Sequence, residues 1–245
     1  MKAFASDFDG TLYFHKNDET VSSADKNAIK TFQSKGHLFG LCTGRPLIGT
    51  LEYLPQDIRP DFYITNSGAT IFDKDLNLIY ERTIPKEVTD VLISYGAEHK
   101  YEVDFHMDGK FVSFRKTSTF ITDIVYSLDE IQGKVHNITY NALTEENADA
   151  LALHINSLFR GTITAFRNKE FVDIVPFGCS KGFGIDLIRD VLKIDTFAGI
   201  GDSMNDFPML EKVDIPFTFP YAPAALQEKS AQIVNSVAEA IHFMV

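Results

Sequence analysis

Residues 4–13 read FASDFDGTLY, a short apolar run that ends in Asp7 and Asp9, one residue apart, before a glycine and a threonine. In an extended strand residues i and i+2 point to the same side. Both carboxyls therefore face one site where the strand leaves the core. That end of a parallel sheet is where open α/β folds bind ligands. Read alone, the pair is equally two solvated acids before a glycine turn.

The pattern recurs near the other end of the chain. Residues 197–206, FAGIGDSMND, run from an apolar strand through glycine to Asp202, with Asp206 four residues on. If that segment is helical, Asp206 lies one turn along the same face. Carboxylates gathered at neighbouring strand ends repel each other and need a cation, and oxygen ligands suit Mg²⁺. Two further segments fit a phosphate. LCTGRP (41–46) sets Thr43 and Gly44 at a strand end just before a helix, where a hydroxyl and free N–H groups can hold phosphate oxygens. CSKGFG (179–184) sets Lys181 at the start of a helix, where an ammonium can pair with phosphate and carboxylate together. A lysine on its own is more often a solvated surface group.

The bulk composition bounds these readings. With 245 residues, 44% hydrophobic and 23% charged, the chain has the make-up of a soluble globular protein of one large or two small domains. A formal net charge of −11 argues against nucleic acid and anionic membrane as partners. An anionic substrate then needs a local reversal of the field, which a divalent ion and a lysine supply. Cys42 and Cys179 occur without CxxC or zinc-type spacing, so free thiols and a cytoplasmic location are expected. Asp7 and Asp9 interrupt any N-terminal signal core, and no stretch approaches the length of a membrane span.

Strands and helices alternate at both ends of the chain. Strands are expected over 2–9, 37–43, 61–68, 196–202 and 214–219, a hairpin over 69–81, and helices over 22–36, 45–54, 181–192, 204–210 and 237–245. Ser22 or Ser23 reads as an N-cap, Gly36 as a stop and Pro46 as a helix start. This alternation favours a parallel sheet covered on both faces. The middle differs. In YEVDFHMDGKFVSFR (101–115) apolar and polar residues alternate with period two around a DG turn, and GTITAFRNKEFVDIVP (161–176) reads as a second hairpin. Between them a helix over 144–158 carries Ala148, Leu151, Ile155 and Leu158 on one face. The fold class is therefore α/β, a Rossmann-like parallel-sheet core with an inserted α+β cap. The core takes residues 1–80 and 177–245 and the cap takes 81–176.

With DFDGTL, TGR, SKG and GDSMND in this order, the chain resembles the haloacid dehalogenase superfamily. Within it, the chain resembles the Cof-type phosphatases that carry a type IIB cap between the second and third motifs. The resemblance covers essentially the whole chain. It implies a phosphatase acting on small phosphorylated metabolites, sugar phosphates first. Asp7 would be the nucleophile that forms an aspartyl-phosphate. Asp9 would be the general acid and then the base, protonated at the outset because crowding by carboxylates and desolvation raise its pKa. Mg²⁺ would bind the Asp7 carboxylate, the Asp9 main-chain carbonyl and Asp202. Thr43, Gly44 and Lys181 would stabilise the transferring phosphoryl group. Asp206 would anchor Lys181 or metal-bound water, and Arg45 and Asn205 are candidate substrate contacts. One departure is visible. The family usually shows Asn directly before Gly after the third strand, whereas ITNSGA puts Ser67 there and Asn66 one earlier.

Other readings are open to the same residues. GLCTG at Cys42 and GCSKG at Ser180 imitate a nucleophile elbow, and Ser180, Asp202 and His242 follow in esterase order. Pro176 and Phe177 interrupt the strand that such an elbow requires. A phospho-acceptor signalling domain also gathers acids, Thr, Lys and Mg²⁺, but it leaves an insertion of ~95 residues without a purpose. A phosphomutase on the same scaffold is separable only by its product. In the cap, His106 and Arg115 read as solvated-face positions, and Phe105, Phe111, Phe114, Phe166 and Phe171 read as the cap's own core.

Overall fold

The computed structural model describes residues 1–15, 18–116, 118 and 120–244. From the N-terminus the chain forms β1 (Lys2–Ser6), α1 (Ser23–Ser34), β2 (Leu38–Cys42), α2 (Leu47–Leu51), β3 (Phe62–Thr65), β4 (Thr70–Asp73) and β5 (Leu78–Glu81). It continues through α3 (Lys86–Glu98), β6 (Glu102–Met107), β7 (Lys110–Ser113), β8 (Asp123–Ile124), β9 (Val135–Asn141), α4 (Glu145–Leu158), β10 (Ile163–Asn168) and β11 (Phe171–Pro176). The last part holds α5 (Lys181–Leu192), β12 (Thr196–Ile200), α6 (Phe207–Lys212), β13 (Ile215–Thr218), α7 (Ala224–Lys229), β14 (Gln232–Ile233) and α8 (Val237–His242). Val245, expected in the closing helix, lies outside the described residues.

Two sheets result. The first has the order β14-β13-β12-β1-β2-β3-β4-β5, parallel from β14 to β3 and antiparallel through the β3–β4–β5 meander. The second has the order β10-β11-β9-β6-β7-β8 and is antiparallel except for the short β7–β8 pair. The molecule is thus α/β, with a parallel core sheet and an inserted α+β cap. Among the described residues no helix is long and apolar enough to cross a membrane.

Strand β1 lies at the centre of the first sheet, and its side chains explain why. Phe4 points to one face, among Phe32, Phe39 and Phe217 with ring centroids 6.2–6.4 Å away. Ala3 and Ala5 point to the other, against the cluster that holds Phe62 and Phe197. A strand buried on both faces has to read as a continuous apolar run. The register then fixes the site. Ser6 pairs with Ile200 on one side and Leu41 on the other, so Asp7, Gly201–Asp202 and Thr43 leave the sheet at the same edge. Helix α1 starts where its cap was read, with the Ser22 side chain accepting from the Asp25 N–H.

The second sheet differs from the sequence reading in detail. Helix α3 and strand β9 were not anticipated, yet β9 lies between β11 and β6. Its sequence VHNITYN buries His136 and Asn137, and polar residues at buried positions hide a strand from any hydrophobic pattern. Helix α4 buries Ala148, Leu151, Ala152 and Ile155, whereas Leu158 is 54% exposed. Phe159, the next residue, packs on that cluster instead. Of the phenylalanines read as cap core, Phe105 is fully buried there and Phe114 packs against it. Phe111 and Phe171 instead line the cleft between the sheets, and Phe166 packs on Ala69, Val175 and Cys179.

Candidate active site

A cleft of about 520 Å³ opens where the parallel strands end, walled on its far side by the second sheet. Its floor is built from the ends of β1, β2 and β12 and from the start of α5. Lys181, the first residue of α5, is 1% exposed and donates to Asp7 Oδ1 at 2.6 Å and to Asp206 Oδ1 at 2.5 Å. The other Asp206 oxygen accepts the backbone N–H groups of Asp202 and Ser203, both at 3.0 Å. All of Asp206 is therefore committed to holding Lys181 and the turn after β12. Burial works against the Lys181 charge, but Asp206 and Asp7 outweigh it and hold the ammonium well above the usual lysine range.

Asp7, Asp202 and Asp206 each offer an oxygen, and these oxygens lie within 4.8 Å of one another. A divalent cation suits such a set because the site charges the acids against each other. Burial first and then the Asp206 charge push the Asp7 carboxyl up to about 6, against the pull of Lys181. Burial first and then Asp7 push Asp202 up to about 6, against Lys169. Lys181 engages only one Asp7 oxygen, and Asp7 and Asp202 line the cleft. The donor set thus fits a hard, oxygen-seeking ion, with Asp7 and Asp202 as the carboxylates that face the cleft to hold it.

Asp9 is placed differently from the sequence reading. Its carboxylate is clamped by Arg45, with Nε and one terminal nitrogen each 2.7 Å from a separate oxygen. The guanidinium is 8% exposed, gives its remaining terminal nitrogen to the Gly49 carbonyl at 3.0 Å, and lies over the Tyr53 and Phe120 rings at 4.8 Å. Arg45 is thus first of all the partner of Asp9. Carboxylate crowding falls on Asp7 and Asp202 because those two share the dry floor, while the Asp9 side chain is 43% exposed.

The loops after β2 and β3 complete the floor. Thr43 is buried, with its hydroxyl accepting from the Arg45 N–H at 3.1 Å. A Cβ at Gly44 would lie 3.5 Å from Asp173 Oδ2 and from Ser67 Oγ, and 3.9 Å from Asn205 Nδ2. The space above Gly44 is therefore ringed by polar atoms. Ser67 Oγ is buried with no hydrogen-bond partner among the described residues. Asn66, Ser67 and Gly68 turn the chain in three successive left-handed residues, with φ of 51°, 50° and 89°. Asn66 then bridges the sheets, donating to Thr70 Oγ1 and accepting from His106 Nδ1, both at 2.8 Å.

His106 is consequently a buried interface residue rather than a solvated one. Burial, then His136 and Arg45, push its pKa down to about 3. Arg115 stays on the solvated side, 68% exposed and paired with Glu102. Asp173 is a site residue that the sequence reading missed. It is buried, receives Thr139 Oγ1 at 3.0 Å and Asn168 Nδ2 at 3.1 Å, and faces Gly44 from the second sheet. Its position in the alternation of β11 was the available signal. The elbow reading loses its nucleophile, because Ser180 Oγ caps α5 by accepting from the Phe183 N–H at 3.0 Å. Burial pushes the Cys42 thiol up, away from the reactive thiolate.

The family profile of haloacid dehalogenase-like hydrolases matches residues 4–241. A 5-amino-6-(5-phospho-D-ribitylamino)uracil phosphatase of Bacillus subtilis is 26% identical over 274 residues, covering 96% of this chain and 93% of that protein. The structure of a haloacid dehalogenase-like hydrolase from B. subtilis superposes with a TM-score of 0.87 at 20% identity, over 100% of this chain and 99% of the other. That of a HAD subclass IIB sugar phosphatase superposes at 0.80 and 22%, again over 100% and 99%. Strand-end acids, a buried lysine and a profile match across nearly the full length agree, and the chain belongs to the haloacid dehalogenase-like hydrolases.

Proposed function

We propose that this hydrolase is a Mg²⁺-dependent phosphatase of small phosphorylated metabolites, with residues 81–176 as the cap over a core of 1–80 and 177–245. The observation that carries the reading is the Asp7–Lys181–Asp206 triad on the floor of the cleft, beside Asp202. One carboxylate lies open to substrate, and an ammonium behind it is already neutralised. Asp7 attacks phosphorus in line and takes the phosphoryl group onto its carboxylate oxygen. Lys181 holds that carboxylate in orientation and draws off charge as it builds on the phosphoryl oxygens. Thr43, the N–H groups around Gly44 and the orphaned Ser67 hydroxyl receive those oxygens. Asp7 and Asp202 would hold Mg²⁺, which supplies the positive charge that lets a phosphate dianion approach an acidic floor.

Asp9 gives a proton to the leaving oxygen and later takes one from water. The bidentate pair with Arg45 is a contact of the ionised carboxylate, so proton delivery requires that clamp to open. The wall of the second sheet suits a polyhydroxylated leaving group. Glu102, Asp104, Thr139, Asn141 and Asp173 face the cleft from β6, β9 and β11, and the register aligns Asp104 with Thr139 and Thr139 with Asp173. Sugar phosphates are accordingly the first substrates to try, and the ribityl phosphate in the name of the B. subtilis relative is of the same kind. The test is release of inorganic phosphate from a panel of such esters, with and without EDTA. Asp7→Asn should be inactive, and Ser180→Ala should retain most activity. Survival in EDTA with loss in Ser180→Ala would overturn the reading, and an isomerised ester in place of free phosphate would make the enzyme a mutase.

A further inference from the structure

We propose that Lys169, at the tip of the β10–β11 hairpin, is the phosphate-binding cation that the second sheet delivers to the site; this rests on the phosphatase reading above. Among the described residues that line the cleft, the lysine and arginine side chains are Arg45 and Lys169. Arg45 is spent on Asp9 and on the Gly49 carbonyl. Lys181 lies beneath Asp7, with its ammonium held between two carboxylates. Among the described residues, an incoming dianion therefore meets one cation with donors to spare, Lys169, whose side chain is 51% exposed and whose Nζ rests 3.3 Å from Asp202 Oδ2.

The hairpin is built to hold that ammonium in place. Asn168 pairs with Phe171 to close the turn. The Asn168 amide donates to Asp173 Oδ2 at 3.1 Å, and its carbonyl oxygen accepts from Ser203 Oγ at 3.4 Å. The tip is thus tied to its own sheet and to the turn after β12. Lys169 itself has a φ of 55°. That left-handed conformation favours glycine or asparagine, so lysine brings nothing to the turn except its side chain. In the structure the ammonium shares Asp202 with Thr11. A divalent ion on Asp202 repels a neighbouring ammonium, and the long stem lets Nζ swing into the cleft towards the phosphate. One lysine then reports from the cap whether metal and substrate are in place.

The test uses the Mg²⁺-loaded full chain, with orthovanadate as the phosphate-shaped probe measured by calorimetry and p-nitrophenyl phosphate as the ester. For Lys169→Met, vanadate affinity should fall and KM rise by about tenfold, the effect of one lost charge-assisted hydrogen bond, with kcat within a few-fold of wild type. Lys169→Arg should recover most of the loss. Mn²⁺ binding followed by electron paramagnetic resonance should be unchanged or tighter in Lys169→Met, since a competing cation has gone. Vanadate affinity within twofold of wild type in Lys169→Met would overturn the proposal. So would a loss of Mn²⁺ binding matching the vanadate loss, which is the mark of a merely structural role. A wild-type protein that neither releases phosphate nor binds vanadate is a different result, because it removes the phosphatase reading itself.

Discussion

Asp7 and Asp9 share a strand end, but their partners divide the chemistry between them. Asp7 is buried against an ammonium and two acids, and Asp9 is half open and clamped by a guanidinium. The raised pKa of Asp7 has a stability consequence. An unfolded aspartate ionises near 4, and the folded one near 6. Between those values the native state binds more protons, so stability falls as pH rises through the interval, and the penalty is fully present at pH 7. Asp7→Asn should therefore abolish turnover while leaving the metal-free protein as stable at pH 7 as wild type, or more so. Activity assay and thermal unfolding of one sample check both halves. Gly44→Ala makes the converse case. Its new methyl meets only ordinary contacts, the nearest at 3.5 Å, so the fold should survive with a loss under about 1 kcal/mol. The methyl occupies the space ringed by Ser67, Asp173 and Asn205, so vanadate affinity should drop by about tenfold or more.

At the scale of elements, the loop between β3 and β4 has the least slack. A Cβ at Gly68 would sit 2.1 Å from the Ser180 carbonyl oxygen, and φ there is +89°. That contact joins the β3–β4 loop to the residue capping α5, the helix that carries Lys181. Gly68→Ala must push backbone against backbone, and we expect a loss of about 3 kcal/mol or more from strain and clash together. Ser180→Ala should cost only about 1 kcal/mol, the worth of an N-cap. Urea unfolding of the two variants checks the ranking. These elements also mark what the sequence discloses. The ends of β1, β2, β12 and α5 were legible because each joins an apolar run or a cap to a polar residue at fixed spacing. Ser67 and His106 were not, since their meaning lies in which loop faces which sheet, and Asp173 left only its place in the alternation of β11. Arg45 was visible as a motif residue, but its partner Asp9 is 36 positions away in the chain.

Across the whole molecule, the two sheets meet through polar pairs whose charge states differ. His136 bonds Glu81 at 3.0 Å, Lys169 pairs with Asp202, and His106 donates to Asn66 at 2.8 Å. The His106 contact sets a pH limit on the assembly. An unfolded histidine takes its proton near 6.5, but burial keeps folded His106 neutral down to about 3. Over that interval the unfolded state binds the extra proton, so this site lowers stability as pH falls from about 6.5, by up to about 1.4 kcal/mol per unit. In the metal-free protein Asp7 and Asp202 act in the opposite sense, gaining stability as pH falls from about 6 towards 4. The net slope of the wild type mixes both, but the difference between wild type and His106→Gln isolates the histidine, because the floor acids are common to the two. Glutamine keeps a donor for Asn66 and cannot titrate. Unfolding free energies measured by urea at pH 7, 6, 5 and 4 should therefore show His106→Gln losing less stability than wild type at each acid step, with the gap opening below about pH 6.5. A gap that stays constant with pH would mean that His106 accepts its proton while still buried, and that the contact between the sheets opens before the fold does.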